Sequence, residues 1–147
     1  KSIILELAQL IRPYPCRIQE PKTPQQEMFK IAYPRQRSMI EESACVILPY
    51  FKQKYTFDND KNGYGLMDYG AAWALVENML LAATAEGLGS VVHIPVKKEP
   101  EKIKAFMKIP DGYYLPALVI LGVPAKDALL PSQVKATVEN KVHWNKW

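Results

Sequence analysis

Asp68-Tyr-Gly-Ala-Ala-Trp-Ala-Leu-Val-Glu-Asn-Met-Leu-Leu-Ala-Ala-Thr-Ala-Glu-Gly-Leu-Gly-Ser-Val-Val-His93 is the stretch whose reading decides the fold. Alanine, leucine, methionine and glutamate lose little side-chain freedom in a helix, so one is expected from Asp68 to about Glu86. Asp68 can serve as N-cap, and Gly87 or Gly89 can adopt the left-handed conformation that ends it. Ala72, Val76, Met79 and Ala83 follow one helical stripe, and Ala71, Leu75, Ala82 and Ala85 make a second apolar face. Only Gly70, Glu77 and Thr84, with neighbouring Asn78, leave a polar strip. A helix apolar over most of its girth is buried, in its own core or against another subunit. Its alanines permit close backbone approach, as at a helix pair across a two-fold axis.

Downstream, Gly87-Leu-Gly89 turns the chain into a short strand, Ser90 to His93 or Ile94, which Pro95 ends. Pro100 fits the first turn of a helix reaching about Met107, where its missing N–H costs little. Ile109-Pro-Asp-Gly112 is a turn. Leu118-Val-Ile-Leu121 reads as a buried strand stopped by Gly122-Val-Pro124. From Ala125 the chain becomes an arm, about 125–147, closing on Val142-His-Trp-Asn-Lys-Trp147. Two tryptophans there imply docking onto its own domain or a partner.

Upstream, Ala44-Cys-Val-Ile-Leu48 is a continuous apolar run before Pro49, expected to be a buried strand. Ile3 to Ile11 fits a short amphipathic helix, and Pro13 to Pro24 is a proline-rich loop. Gln25 to Ala32 and Arg35 to Glu42 read as helices, and 51–66 as a polar connection around Asp58-Asn-Asp-Lys-Asn-Gly63. This order predicts an α/β or α+β sandwich with helices over a small sheet.

At 147 residues the chain fits one domain, 1–147, with room for a real core. Its 48% hydrophobic and 23% charged residues are those of an ordinary soluble protein rather than a disordered one. A net charge of +4, from 19 basic against 15 acidic side chains, is scattered rather than clustered. That suits an anionic small molecule such as a phosphate and argues against nucleic acid. Cys16 and Cys45 lack a CxxC or Cys/His partner at metal spacing, as expected of free thiols in a cytoplasmic chain with no metal site. No signal peptide or membrane span is visible, because Asp68, Glu77, Asn78 and Glu86 interrupt the longest apolar helix. The chain opens at Lys1 without a methionine, which fits a natural N-terminus lying further upstream.

Four segments in succession resemble the FMN-dependent nitroreductase family: Leu80-Leu-Ala-Ala-Thr-Ala-Glu-Gly-Leu-Gly-Ser90, Ile109-Pro-Asp-Gly-Tyr113, Leu118-Val-Ile-Leu-Gly-Val-Pro124 and His143-Trp144. The resemblance covers Asp68 to Trp147. In the N-terminal half Pro15-Cys-Arg-Ile-Gln19 stands where the family carries a Pro-Ser-x-x-Asn loop, with Cys16 for the serine and Gln19 for the asparagine. The family's Arg-Arg-Ser-x-Arg opening and the aromatic strand after the loop are missing.

The resemblance implies an α+β, nitroreductase-like sandwich, with a small mixed sheet flanked by helices. It also implies a homodimer built on the long buried central helix, each subunit's arm wrapping the other and FMN lying at the interface. Cofactor contacts would come from Cys16, Arg17 and Gln19, from Val92, His93, Ile94 and Pro95 along the ring, and from Lys135 at the phosphate. No Ser/His/Asp set, paired carboxylates, P-loop or metal cluster appears in the sequence, so no side chain is assigned a catalytic role. In a flavin enzyme the ring carries the hydride chemistry and the protein positions and tunes it. The implied activity is hydride transfer from NAD(P)H through FMN to nitro compounds, quinones or a similar small-molecule acceptor. The alternative is a flavin-binding dimer without turnover, which the missing arginines and altered loop would suit.

Overall fold

The structure is a computed structural model that describes residues 1–55, 60–128 and 137–146. Its centre is β5 (Leu118–Gly122), flanked by β1 (Cys45–Ile47) and β3 (Gly89–His93) in the order β1-β5-β3. Both neighbours run antiparallel to β5, with Val46 and Val91 each opposite Ile120. The expected mixed sheet is therefore antiparallel in every described pairing. β1 and β3 do share a direction, but β5 lies between them, so no parallel pair forms among the described residues. Central placement explains why Leu118, Val119 and Ile120 are buried. β1 is less buried than its unbroken apolar run suggested, with Cys45 exposed and Val46 and Ile47 half-buried, because it pairs on one side only among the described residues.

Side chains alternate across a strand, so Leu118 and Ile120 share one face of β5 and Val119 takes the other. Leu118 and Ile120 join Leu7, Ala8, Ile11, Ile40 and Ile103 in one core. Those partners come from α1 (Ser2–Gln9) and its C-terminal turn, α3 (Gln36–Glu42) and α5 (Glu99–Phe106). α2 (Pro24–Ala32) starts at Thr23, whose hydroxyl accepts from the Gln26 amide at 3.2 Å, and has no buried residue. A two-stranded ribbon of β2 (Phe51–Lys52) and β4 (Tyr113–Tyr114) stands apart from the main sheet. Strands of two residues carry no period, which is why the sequence did not announce them.

The long helix, α4 (Tyr64–Ala85), contacts β3 and β5. It begins earlier than expected, because its capping carboxylate is Asp60 rather than Asp68. Asp60 accepts from the Asn62 amide at 3.1 Å and from the Gly65 amide, and Gly63 supplies a left-handed φ of 78° at the N-cap. The helix ends as the sequence predicts, on Gly87 at φ 72°. Leu88 N–H donates to Ala83 O at 2.9 Å and Gly87 N–H to Thr84 O at 3.0 Å, the paired bonds of a Schellman stop.

Within this chain α4 is not buried all round. Gly65, Ala72, Val76 and Ala83 are buried, whereas Met67 and Leu81 are 67% and 59% exposed. Met67, Ala71, Ala74, Asn78, Leu81 and Ala85, alternately four and three apart, form a face opposite the buried stripe. The described part of the C-terminal arm, with a short 3-10 turn at Val138–Asn140, leaves Trp144 85% exposed. Among the described residues no helix is long and apolar enough to cross a membrane.

Candidate functional site

Pro13 and Pro15 forbid continuation of α1, so the chain leaves it extended and brings Arg12 and Tyr14 to the end of β3. At β3, Pro95 has no N–H to extend the ladder, and the turn to α5 passes through Lys97 at a left-handed φ of 58°. That turn brings Glu99, the first residue of α5, back toward β3. Its Oε1 accepts from the Arg12 amide at 2.9 Å. Its Oε2 accepts from the Tyr14 hydroxyl at 2.8 Å, the Val96 amide at 2.9 Å and His93 Nε2 at 3.2 Å.

His93 and Glu99 are both buried. Burial by itself would raise the Glu99 pKa, but the Val96 and Arg12 amides, the Tyr14 hydroxyl and His93 outweigh it and hold the carboxyl below its ordinary value. Burial, reinforced by the bond to Glu99, pushes the Tyr14 hydroxyl up to about 12. Burial likewise pushes His93 down, against the pull of the Glu99 charge. Its Nδ1 lies 2.7 Å from the Gln36 carboxamide oxygen, so both ring nitrogens face oxygens. A neutral ring donates from Nε2 to Glu99, and a half turn of the Gln36 carboxamide gives Nδ1 an N–H to accept.

Beside this cluster lies a cleft of about 390 Å³. Tyr14, Phe29 and Tyr33 wall it with rings that meet edge to face, at 5.4 Å between the Phe29 and Tyr33 centroids and 6.4 Å between Tyr14 and Tyr33. Arg12, Cys16 and Arg17 complete the lining, and the Arg12 guanidinium sits 4.5 Å from the Tyr14 ring centroid. Aromatic walls with two guanidinium groups suit a flat, electron-poor, anionic molecule.

Of the residues expected from sequence, Cys16 and Arg17 line the cleft. Gln19 is exposed and outside the lining, and its carbonyl accepts from Lys30 Nζ at 2.6 Å. Val92 pairs with Val119, Pro95 is buried and Ile94 is 49% exposed. The His93 side chain turns inward, to Gln36 and Glu99. β3 is a sheet edge among the described residues, which leaves one side of its backbone free to donate and accept. Lys135 lies outside the described residues. Sequence reasoning missed Arg12, Tyr14, Phe29, Tyr33, Gln36 and Glu99. The only signal for Glu99 was a glutamate at a helix start three residues after Val96, the spacing at which a carboxylate reaches back to an amide. Among the described residues no group of three or more His, Cys, Asp or Glu side chains could hold a metal ion.

The family model described as the nitroreductase family matches residues 6–123. An NADH dehydrogenase of Thermus thermophilus is 36% identical over 75 residues, which are 51% of this chain and 35% of that protein. A nitroreductase family protein from Clostridium novyi has a TM-score of 0.55 at 26% identity, over 84% of this chain and 57% of its own. Oxidized iodotyrosine deiodinase bound to FMN and 3-iodo-L-tyrosine has a TM-score of 0.66 at 16% identity, over 97% of this chain and 72% of its own, a likeness of fold alone. The match to the curated relative thus spans about a third of that protein's length.

Proposed function

Because the chain belongs to the nitroreductase family, we propose that it binds FMN as a homodimer and passes hydride from NAD(P)H to a nitro compound, quinone or similar small-molecule acceptor. The observation that carries this reading is the cleft itself, in which the Cys16–Arg17 loop, three aromatic rings and two arginines converge, with Tyr14 packed edge to face on His93 at the end of β3. The residues fit the cofactor. Tyr14, Phe29 and Tyr33 give flat apolar contact, main-chain groups from Val92 to Ile94 can address the ring's polar edge, and Arg12 and Arg17 can meet the phosphate, with Lys135 as a further cation. When bound, FMN would supply the hydride acceptance and donation that no side chain here provides. The protein's own part is to orient the ring, exclude water with the aromatic wall and keep a positive field at the anionic end.

The exposed face of α4 supports the homodimer. Small residues at Ala71, Ala74 and Ala85 let a second α4 approach closely, and Met67 and Leu81 would leave water in doing so. The exposed arm with Trp144 would then cover the partner. Free thiols at Cys16 and Cys45 fit a cytoplasmic setting.

One observation favours the second reading, a flavin-binding dimer without turnover: Gln19, at the family's asparagine position, does not line the cleft. Purified protein should be yellow or become so with added FMN, and NAD(P)H without air should bleach it. Colour that persists under NAD(P)H selects the binding protein, and a chain that takes up no FMN overturns both readings.

A further inference from the structure

We propose that Glu99 is a positioning residue for the cofactor cleft, clamping the loop that lines it, through Arg12 and Tyr14, to the end of β3; the assignment of the ligand rests on the function proposed above. The carboxylate collects donors from two distant segments: the Arg12 amide and Tyr14 hydroxyl from the cleft loop, the Val96 amide and His93 imidazole from the end of β3. Among the described residues no other hydrogen bond joins residues 12–19 to residues 92–99.

The chemistry requires this residue type. An ionised carboxylate presents about four lone-pair sites and no donor, matching four inward-pointing N–H and O–H groups. A carboxamide in its place would turn an NH2 toward some of those donors and leave them buried and unpaired. The backbone supports the same arrangement, since a non-glycine residue, Lys97, adopts a left-handed φ so that Glu99 can return to Val96. Glu99 is 3% exposed and does not line the cleft, so its influence on a ligand passes through Tyr14 and through Arg12 stacked on the Tyr14 ring.

The full chain carrying Glu99→Gln separates positioning from general stability when set beside Ile103→Val, which trims the buried core on the same helix and leaves all four hydrogen bonds to the carboxylate in place. Glu99→Gln should accelerate hydrogen exchange at the Arg12 and Val96 amides together and weaken FMN binding by about tenfold, the effect of losing one charge-assisted hydrogen bond. Ile103→Val should leave FMN affinity within about twofold of the parent, its cost falling on global stability. Where Glu99→Gln does not fold, Glu99→Asp keeps the charge one methylene short of its donors, and its FMN affinity should fall between the two. Unchanged affinity in a folded Glu99 variant, or an equal loss in Ile103→Val, overturns the proposal. Should the parent itself take up no FMN, the functional reading falls separately, and exchange alone decides the clamp: Arg12 and Val96 accelerating together keep it, and one without the other sinks it.

Discussion

His93 and Glu99 make the fold sensitive to acid in a direction that can be worked out. Burial holds His93 below its ordinary value, so the unfolded chain takes up a proton at a pH where the folded chain does not. The stability contributed by the neutral ring is complete above about pH 6.5 and is lost as pH falls from there toward the folded pKa. Glu99 is also depressed, by its donors, so its contribution is present above the ordinary glutamate value of about 4.3 and is lost as pH falls through the folded pKa. Urea midpoints should therefore decline in acid in two steps, and His93→Gln should abolish the first while leaving the second. A midpoint that rises between pH 7 and about 5.5 would mean instead that the ring is an imidazolium bridging Glu99 and Gln36. Beyond the spacing of Val96 and Glu99 little of this was legible in the sequence, because the other partners lie 6 to 87 positions apart and no local period connects them. His93 was visible as the end of a strand and, through the resemblance, as part of the segment along the cofactor ring, whereas its burial depends on what folds over it.

Two glycines of α4 show how much of an element is set locally and how much by its surroundings. A Cβ at Gly65 would lie 2.6 Å from the Tyr55 carbonyl oxygen, a backbone atom with little freedom to move, whereas one at Gly70 meets nothing within 4 Å. Gly65→Ala should destabilise by about 1–3 kcal/mol through overpacking. Gly70→Ala should stabilise the single chain by about 0.5–1 kcal/mol through helix propensity alone. Thermal unfolding of the pair checks both, and a destabilising Gly70→Ala would signal a second helix packed close against that side. The helix, its glycine stop and its two apolar faces were legible because propensity and the 3.6-residue period are local. Its start was not, because Asp68 satisfies the local capping rule while the fold assigns the cap to Asp60 through the turn at Gly63. Backbone donors from Gly65, Asn62, Tyr64 and Gly63 overcome the upward effect of burial and keep Asp60 ionised to lower pH. Asp60→Ala should accordingly lower Tm by about 2–4 °C, the usual effect of losing a helix cap in a chain of this size.

For the whole molecule the decisive surface is the side of α4 that this chain leaves uncovered. One reading of the periodicity, burial against the chain's own core, accounts for Ala72, Val76 and Ala83 and fails for Met67, Leu75 and Leu81, which are 67%, 49% and 59% exposed. The second, burial against another subunit, needs such a remainder, and the face of Met67, Ala71, Ala74, Asn78, Leu81 and Ala85 has the alternating spacings of four and three of helices packed at a shallow angle. β3 is likewise a free edge among the described residues, so under the proposed function a dimer would complete the cofactor site as well as cover the helix. Leu81→Glu discriminates. In an isolated chain a substitution at so exposed a position should change stability by less than about 0.5 kcal/mol. Across a helix pair it would bury unpaired carboxylates, and the assembly should come apart. Sedimentation should show the parent at twice the single-chain mass and Leu81→Glu at the single-chain mass, with far-UV circular dichroism unchanged and FMN no longer retained. A parent that sediments as one chain removes the dimer, and a variant that stays paired moves the interface away from α4. A monomeric variant that still holds FMN would locate the whole cofactor site within one subunit.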